Sequence, residues 1–244
     1  MRLKCIVAYD GTDFAGYQVQ PGKRTVQDEI ERVLTRMHKQ EIKVVASGRT
    51  DAGVHAKGQV IHFDSNLQMA EWQWKKGLNA LLPDDIHVLH VAPVVANFHA
   101  RYDAVKKEYR YLLHVNSDPN PFTRNYIVHF PKDLDLATMQ MAAAELTGRY
   151  DFTSFCATNT SVQDKVREIE KVAITQEDDG VIQFSFVGDG FLYNMVRIIV
   201  GTLLEVGTGK RKATEMKEIL QAKDRNVAGK TAPAHGLYLW TVWY

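Results

Sequence analysis

The sequence predicts an α+β protein built from two pseudo-duplicated ferredoxin-like halves, each running β-α-β-β-α-β, with a mainly antiparallel sheet and a cleft between the halves. Three observations lead there. Short alternating β-branched runs are interleaved with helix-period apolar patterns twice along the chain. A length of 244 residues suits one large domain or two modest ones. Hydrophobic content of 45% and charged content of 24% are those of an ordinary globular chain. The expected division is 1–105 for the first half and 106–244 for the second.

In the first half, Leu3 to Tyr9 alternates as a strand, and the glycine- and aromatic-rich stretch from Asp10 to Gly22 reads as a loop. A helix is predicted over Thr25–Lys39, where Val26, Ile30, Val33, Leu34 and Met37 recur at helical spacing. Thr25 is placed to cap it, with Asp28 and Glu29 in the first turn. Ile42–Ala46 and Gln59–Asp64 read as two strands, Glu71–Leu82 as a helix stopped by Pro83, and Ile86–Ala92 as a strand. In the second half, the expected elements are a strand over Glu108–Val115, a proline-bearing loop over Asn116–Arg124, and a helix over Leu136–Leu146 closed by Gly148. A hairpin pair follows over Arg167–Thr175 and Val181–Val187, turned at Asp178-Asp179-Gly180. Then come a long apolar helix over Phe191–Val206, a short helix over Ala213–Ala222, and a closing strand over Leu237–Trp243.

Between the strands ending at Ala46 and beginning at Gln59 lies Ser47-Gly48-Arg49-Thr50-Asp51-Ala52-Gly53-Val54-His55-Ala56. It sets a cation, a hydroxyl, a carboxylate and an imidazole at the tip of a connection between strands, where a rigid scaffold holds reactive groups. A polar hairpin carrying charge for solubility is the plain alternative. Asp51 suits a nucleophile, a general base or a turn-forming residue; only His55 is near enough to share a metal, so no metal site is expected. Arg197 is flanked by apolar residues in Met195-Val196-Arg197-Ile198-Ile199-Val200, so its guanidinium is expected to be buried and to need a carboxylate, for which Asp51 is the candidate. Snorkelling to solvent is the alternative. Tyr109 and Tyr111 alternate in one strand and share a face, with Arg101, Lys106, Lys107 and Arg110 close by in sequence. Aromatics beside cations suit stacking on a base with phosphate contacts, against plain core packing. Phe14, Tyr17, Gln18 and Gln20 add planar and amide groups in the first loop.

Net charge of +1 announces no polyanion partner, so any nucleic-acid surface must come from local charge segregation. Cys5 and Cys156 lie far apart in sequence and suggest neither a disulfide framework nor zinc. The N-terminus leads directly into a strand, no apolar run approaches the roughly 20 residues of a membrane helix, and the cytoplasm is expected.

The motifs then resemble a known family. The loop Ala46–Ala56 is similar to the signature of the TruA family of tRNA pseudouridine synthases. So are Tyr9–Gln18, Thr25-Val26-Gln27, the segments Phe98–Tyr102 and Lys107–Tyr111, Gly190–Arg197, and Thr231-Ala232-Pro233 with Gly236-Leu237. One departure is Gly148-Arg149-Tyr150-Asp151-Phe152, where the family often has a histidine in the middle. The resemblance implies conversion of uridine to pseudouridine at positions 38 to 40 of the tRNA anticodon stem-loop, by a homodimer that uses no cofactor. Asp51 would be the nucleophile, Tyr109 the active-site tyrosine and Arg197 the cation paired with Asp51. Arg49 would contact RNA, His55 would orient the loop, and Arg101, Lys107, Arg110, Phe14 and Gln18 would line the RNA surface. A non-catalytic RNA-binding module and an aspartate-nucleophile hydrolase are the competing classes; the second lacks the Asp-Thr/Ser-Gly and Asp-x-Asp patterns.

Overall fold

A computed structural model describes residues 1–115, 118–177 and 180–244. The start of the loop expected from Asn116, and Asp178-Asp179 of the expected hairpin turn, lie outside the described residues. The chain is α+β with mostly antiparallel pairing, and it divides into two compact units, Met1–Val105 with Tyr238–Tyr244, and Lys106–Leu237.

The first unit is built from β1 (Arg2–Tyr9), α1 (Val26–His38), β2 (Val45–Ala46), β3 (His55–Asp64), α2 (Glu71–Asn79) and β4 (Ile86–Val94). Strand β1 lies between β4 and β3, antiparallel to both, and its apolar face (Leu3, Cys5, Val7, Tyr9) is buried. Helix α1 begins where expected: the Thr25 side chain accepts from Asp28 N, Val26, Ile30 and Leu34 are buried, and Lys39 ends the helix in a left-handed conformation. Strand β2 is much shorter than the alternation predicts. The amide of Val44 donates to Glu31 Oε1 at 3.1 Å and that of Ile42 to Thr35 Oγ1 at 3.3 Å, so side chains of α1 take the bonds a ladder would have used. Strand β3 starts four residues earlier than predicted, at His55 (55 against 59), so the polar connection is shorter than it reads. Tyr238 and Leu239, from the closing strand β10 (Leu237–Trp243), pair parallel with His55 and Ala56. The sequence reading counts that strand with the second half; its residues from Tyr238 onward pack in the first unit.

The second unit contains β5 (Lys106–His114), β6 (Val128–His129), α3 (Leu136–Ala144), β7 (Gly148–Asp151), β8 (Val166–Gln176), β9 (Val181–Gly188), α4 (Met195–Gly207) and α5 (Glu215–Ala222). Strand β9 is antiparallel to β5 and β8, and β7 is antiparallel to β8. Strands β6 and β7 are too short for periodicity to reveal. Helix α4 starts four residues later than the apolar run suggests (195 against 191), because Asn194 takes a left-handed φ of 61° and breaks the run. Its faces then bury Ile198, Ile199, Val200 and Leu203 almost completely.

Candidate active site

The loop at residues 47–54 stands on a buried polar network laid by β1 and β3. Ser47 N donates to Val60 O at 2.8 Å, and Ser47 Oγ donates to Gln59 Oε1 at 2.7 Å. Gln59 Nε2 donates to Gly48 O at 2.9 Å and reaches Tyr9 OH at 3.5 Å. Tyr9 OH and Thr50 Oγ1 share a bond of 2.7 Å. Ser47 and Gln59 are fully buried, so each group must satisfy another. Burial pushes the Tyr9 phenol up to about 12, which keeps it neutral and able both to donate and to accept.

A second loop, residues 10–24, braces the first from the other side. Tyr17 N donates to Thr50 O at 3.0 Å and Gly53 N to Phe14 O at 3.4 Å, while Val54 N closes a turn onto Asp51 O at 3.1 Å. Gly16 sits at φ +103°, and a Cβ there would come 3.0 Å from Thr50 O and 3.2 Å from Ala52 N. A Cβ on Gly11 would run into the backbone of Val54. Glycine is required where this backbone passes the aspartate loop. Asp51 is left half-buried, between buried Thr50 and exposed Ala52, with exposed Arg49 just before it. Its backbone is thus fixed while the residue as a whole remains only partly enclosed.

Phe14 is buried, with the Arg24 guanidinium 4.2 Å from its ring centroid; Arg24 in turn holds Asp85 through two bonds (2.6 and 3.0 Å) and Glu29 through one (3.0 Å). That makes Phe14 part of the loop's packing. Gln18 is exposed. His55 is buried, its ring stacked on Tyr238 at 4.8 Å, and its Nδ1 accepts from Gly11 N at 2.9 Å. Asp10 Oδ1 lies 3.2 Å from the same nitrogen. One ring nitrogen cannot both accept from the amide and donate to the carboxylate. The shorter amide bond, together with Thr12 N and Oγ1 donating to Asp10 Oδ1, marks Nδ1 as the acceptor. His55 therefore ties the two loops together.

In the second unit, Tyr109 is buried edge-on against Phe191, with ring centroids 5.1 Å apart. Lys107, half-buried, shares its face of β5 with Tyr109 and Tyr111; Lys106, Glu108 and Arg110 take the other face. The cations that crowd Tyr109 in sequence are therefore divided in space. Arg110 is bound to Glu108 at 2.6 Å, and Lys106 to Glu170 at 3.0 Å. Arg101 belongs to the first unit and is exposed.

Arg197 is half-buried, less enclosed than the apolar run around it predicts. Its Nε donates to Ala232 O at 2.8 Å and Nη1 to Asn194 Oδ1 at 2.8 Å, while Ala232 N donates back to Arg197 O at 3.0 Å. The segment 228–233 that supplies this carbonyl is itself anchored. Gly229 N donates to Thr202 Oγ1 at 2.9 Å, and Tyr111 OH donates to Pro233 O at 3.0 Å. Gly201 has no Cβ where Lys230 crosses the helix, and any Cβ would overlap the Lys230 carbonyl. The supports Tyr9, Ser47, Thr50, Gln59, Asn194 and Ala232 lie in or beside the motifs that the sequence displays, but the sequence alone assigns none of them a supporting role. Gln59 carries a visible signal, an amide at the head of the strand stretch Gln59-Val60-Ile61-His62-Phe63. Among the described residues, no group of three or more His, Cys, Asp or Glu side chains is placed to hold a metal ion. No described helix is long and apolar enough to cross a membrane.

The α+β scaffold thus holds half-buried Asp51 on a loop braced from two sides. A family model described as tRNA pseudouridine synthase matches residues 5–103 and 142–244, stretches that contain Asp51 and Arg197 and leave Tyr109 between them. The chain belongs to this family. It is 58% identical over 246 residues to a tRNA pseudouridine synthase A of Bacillus pumilus, covering 100% of this chain and 99% of that one. It is 56% identical, with the same coverage, to one of Bacillus subtilis. It is 59% identical to one of Shouchella clausii, covering 100% and 93%. The protein is an isomerase that acts on tRNA and converts uridine to pseudouridine.

Proposed function

We propose that the chain isomerises uridines 38 to 40 of the anticodon stem-loop, in the cytoplasm, as a homodimer and without a cofactor, with Asp51 as the nucleophile. The observation that carries the nucleophile assignment is the half-buried Asp51 on a backbone held by Tyr17, Phe14 and the Tyr9–Thr50–Gln59 network. The reaction breaks the N1–C1′ bond, turns the base and rejoins it through C5, so it is redox-neutral. A carboxylate attacks either C1′ of the sugar or C6 of the base, and either route needs it ionised and fixed. Arg197 is the cation assigned to keep it ionised. Tyr109 is the ring assigned to the flipped base, which must leave its stack at a cost of a few kcal/mol. Arg49, Arg101, Lys107 and Gln18 are assigned to RNA. Phe14 and His55 hold the loop, and Arg110, bound to Glu108, supports the Tyr109 strand. A homodimer supplies the surface that one protomer of net charge +1 does not.

We also infer that the two units are pseudo-duplicated ferredoxin-like halves. The first unit runs strand, helix, two strands, helix, strand; the second follows that order as far as α4, with the short strands β6 and β7 and the helix α5 added. In each the first strand pairs antiparallel with the strand before the next long helix but one, β1 with β3 ahead of α2 and β5 with β9 ahead of α4.

The test is Asp51→Ala. Tritium release from tRNA labelled at uridine C5 should vanish while tRNA binding persists; surviving release would remove the nucleophile assignment. Arg197→Met should lose most activity, and near-normal kinetics would remove its pairing with Asp51.

A further inference from the structure

We infer that the turn at residues 99–103 is a base-stacking platform, with Tyr102 as its face, for an unpaired nucleotide of the bound tRNA. Tyr102 is 76% exposed, yet its ring is held. It stacks on the His99 ring with centroids 4.3 Å apart and planes 27° apart. The His99 ring is fixed in turn, because its Nδ1 accepts from the amides of Arg101 and Tyr102, both at 3.2 Å. Asp103 closes the turn: its Oδ2 accepts from His99 N at 2.8 Å, and its own amide donates to His99 O at 3.0 Å. Behind His99 lies the His62 ring, edge-on at 5.1 Å, buried, with Nδ1 accepting from Ala100 N at 3.0 Å. Three rings thus lead outward from the core to an open face.

An exposed tyrosine is ordinary, and on a solvated turn it would be free to rotate. Here the turn's own backbone dictates the ring it lies on, so little side-chain freedom remains to be lost when something stacks on it. The surroundings select the ligand. The Arg101 guanidinium lies 5.8 Å from the Tyr102 centroid and has no carboxylate partner among the described residues, whereas Arg2, Arg24, Arg32, Arg110 and Arg211 all do. Lys4, over Phe98 at 5.7 Å and Tyr244 at 5.4 Å, adds a second cation. The one acidic group of the turn, Asp103, is engaged by its backbone. An aromatic face beside cations suits a base and its phosphate, and it disfavours a second copy of this net-positive chain. The base must be unpaired, because only an unstacked base offers a free face.

The inference rests on the tRNA activity and adds a contact away from Asp51. It is tested with full-length protein and tRNA, by binding and by steady-state kinetics. Tyr102→Ala should raise the Kd and KM for tRNA together by about 5- to 150-fold, the range stacking on one base commands, with a much smaller change in kcat. Tyr102→Phe, which keeps the face, should bind within about 2-fold of the parent. Unchanged binding by Tyr102→Ala would overturn the proposal. So would a Tyr102→Phe defect as large as that of alanine, which would make the hydroxyl the contact. A sedimentation shift toward monomer at unaltered tRNA affinity would reassign the face to a contact between copies. Wild-type protein without isomerase activity would instead strike at the functional reading itself.

Discussion

Two glycines of helix α4 separate damage to the site from damage to the fold. A Cβ on Gly201 would stand 2.9 Å from the Lys230 carbonyl carbon, and nearer still to its oxygen, where ordinary contact begins at 3.4 Å. The carbon alone must withdraw 0.5 Å (3.4 minus 2.9), and the oxygen more. The helix cannot yield easily, because Ile198, Ile199, Val200 and Leu203 have no exposed surface. The displacement therefore passes along the chain to Ala232, whose carbonyl holds Arg197 Nε and whose amide bonds Arg197 O. A Cβ on Gly207 meets only side chains, those of Met139 and Leu134. Overpacking typically costs about 1–3 kcal/mol, with Gly201→Ala at or above the top of that range because it meets backbone, and each cost is offset by about 1 kcal/mol of helix propensity gained on replacing glycine by alanine. Gly201→Ala should also move the guanidinium, and if Arg197 has its proposed catalytic role, a shift of about 1 Å costs roughly 100-fold in rate. Tritium release and urea unfolding, measured on both variants, make the comparison. Gly201→Ala should be the less stable of the two and should lose about two orders of magnitude in kcat even under conditions where its urea curve shows it fully folded, whereas Gly207→Ala keeps most of its activity. Equal activities would refute the claim that the 228–233 segment aims Arg197.

Three further outcomes follow from the buried groups. Gln59→Leu leaves the Ser47 hydroxyl and Gly48 carbonyl without their amide partner, which should cost about 1–3 kcal/mol of stability; kcat should fall more than KM changes, and an unaltered kcat would show that the loop is rigid without the amide. Burial lowers His62 from 6.5 to about 4, so the unfolded chain binds that proton first as acid is added. Its contribution is complete above about pH 6.5 and is lost as the pH falls toward 4. His62→Asn, which keeps an acceptor for Ala100 N, should unfold with a shallower pH dependence in that window. Burial also pushes the Cys5 thiol up to about 12, so a thiol-specific reagent at pH 8 should label it only at the rate at which the protein unfolds. Rapid labelling of the native protein would contradict its burial.

Helix α1 and strands β1 and β10 were legible because period and capping agree with one another over many residues. Strand β2 was not: alternation in Ile42–Ala46 describes which side chains are buried, while the backbone bonds go to side chains of the preceding helix, Glu31 and Thr35, which periodicity does not reveal. The start of α4 was misread for a related reason. Asn194 is a residue that tolerates left-handed backbone, and an apolar count passes straight over it. On a strand the next residue belongs to the opposite face, so Arg110, adjacent to Tyr109 in sequence, does not share its face of β5. Asp51 and Arg197 stood out because a carboxylate between glycines and a cation in an apolar run are locally anomalous. The groups supporting them are common residues in common places, and only their partners give them a role.

Those supports explain how the aspartate loop can be both fixed and open. A carboxylate that acts as the proposed nucleophile has to stay accessible, so little packing is available on its own side chain, and its position must be set largely by backbone. Backbone held from one side only could still hinge. Here Gln59 and Tyr9 hold Gly48 and Thr50 from the sheet, while Tyr17 and Phe14 hold Thr50 and Gly53 from the facing loop. The facing loop can approach so closely because Gly11 and Gly16 lack side chains. Its own position is fixed at a distance, by Arg24 bridging Phe14, Glu29 and Asp85. The glycines at 11 and 16 are therefore as much a part of the aspartate's geometry as those at 48 and 53, although they lie more than thirty residues away along the chain.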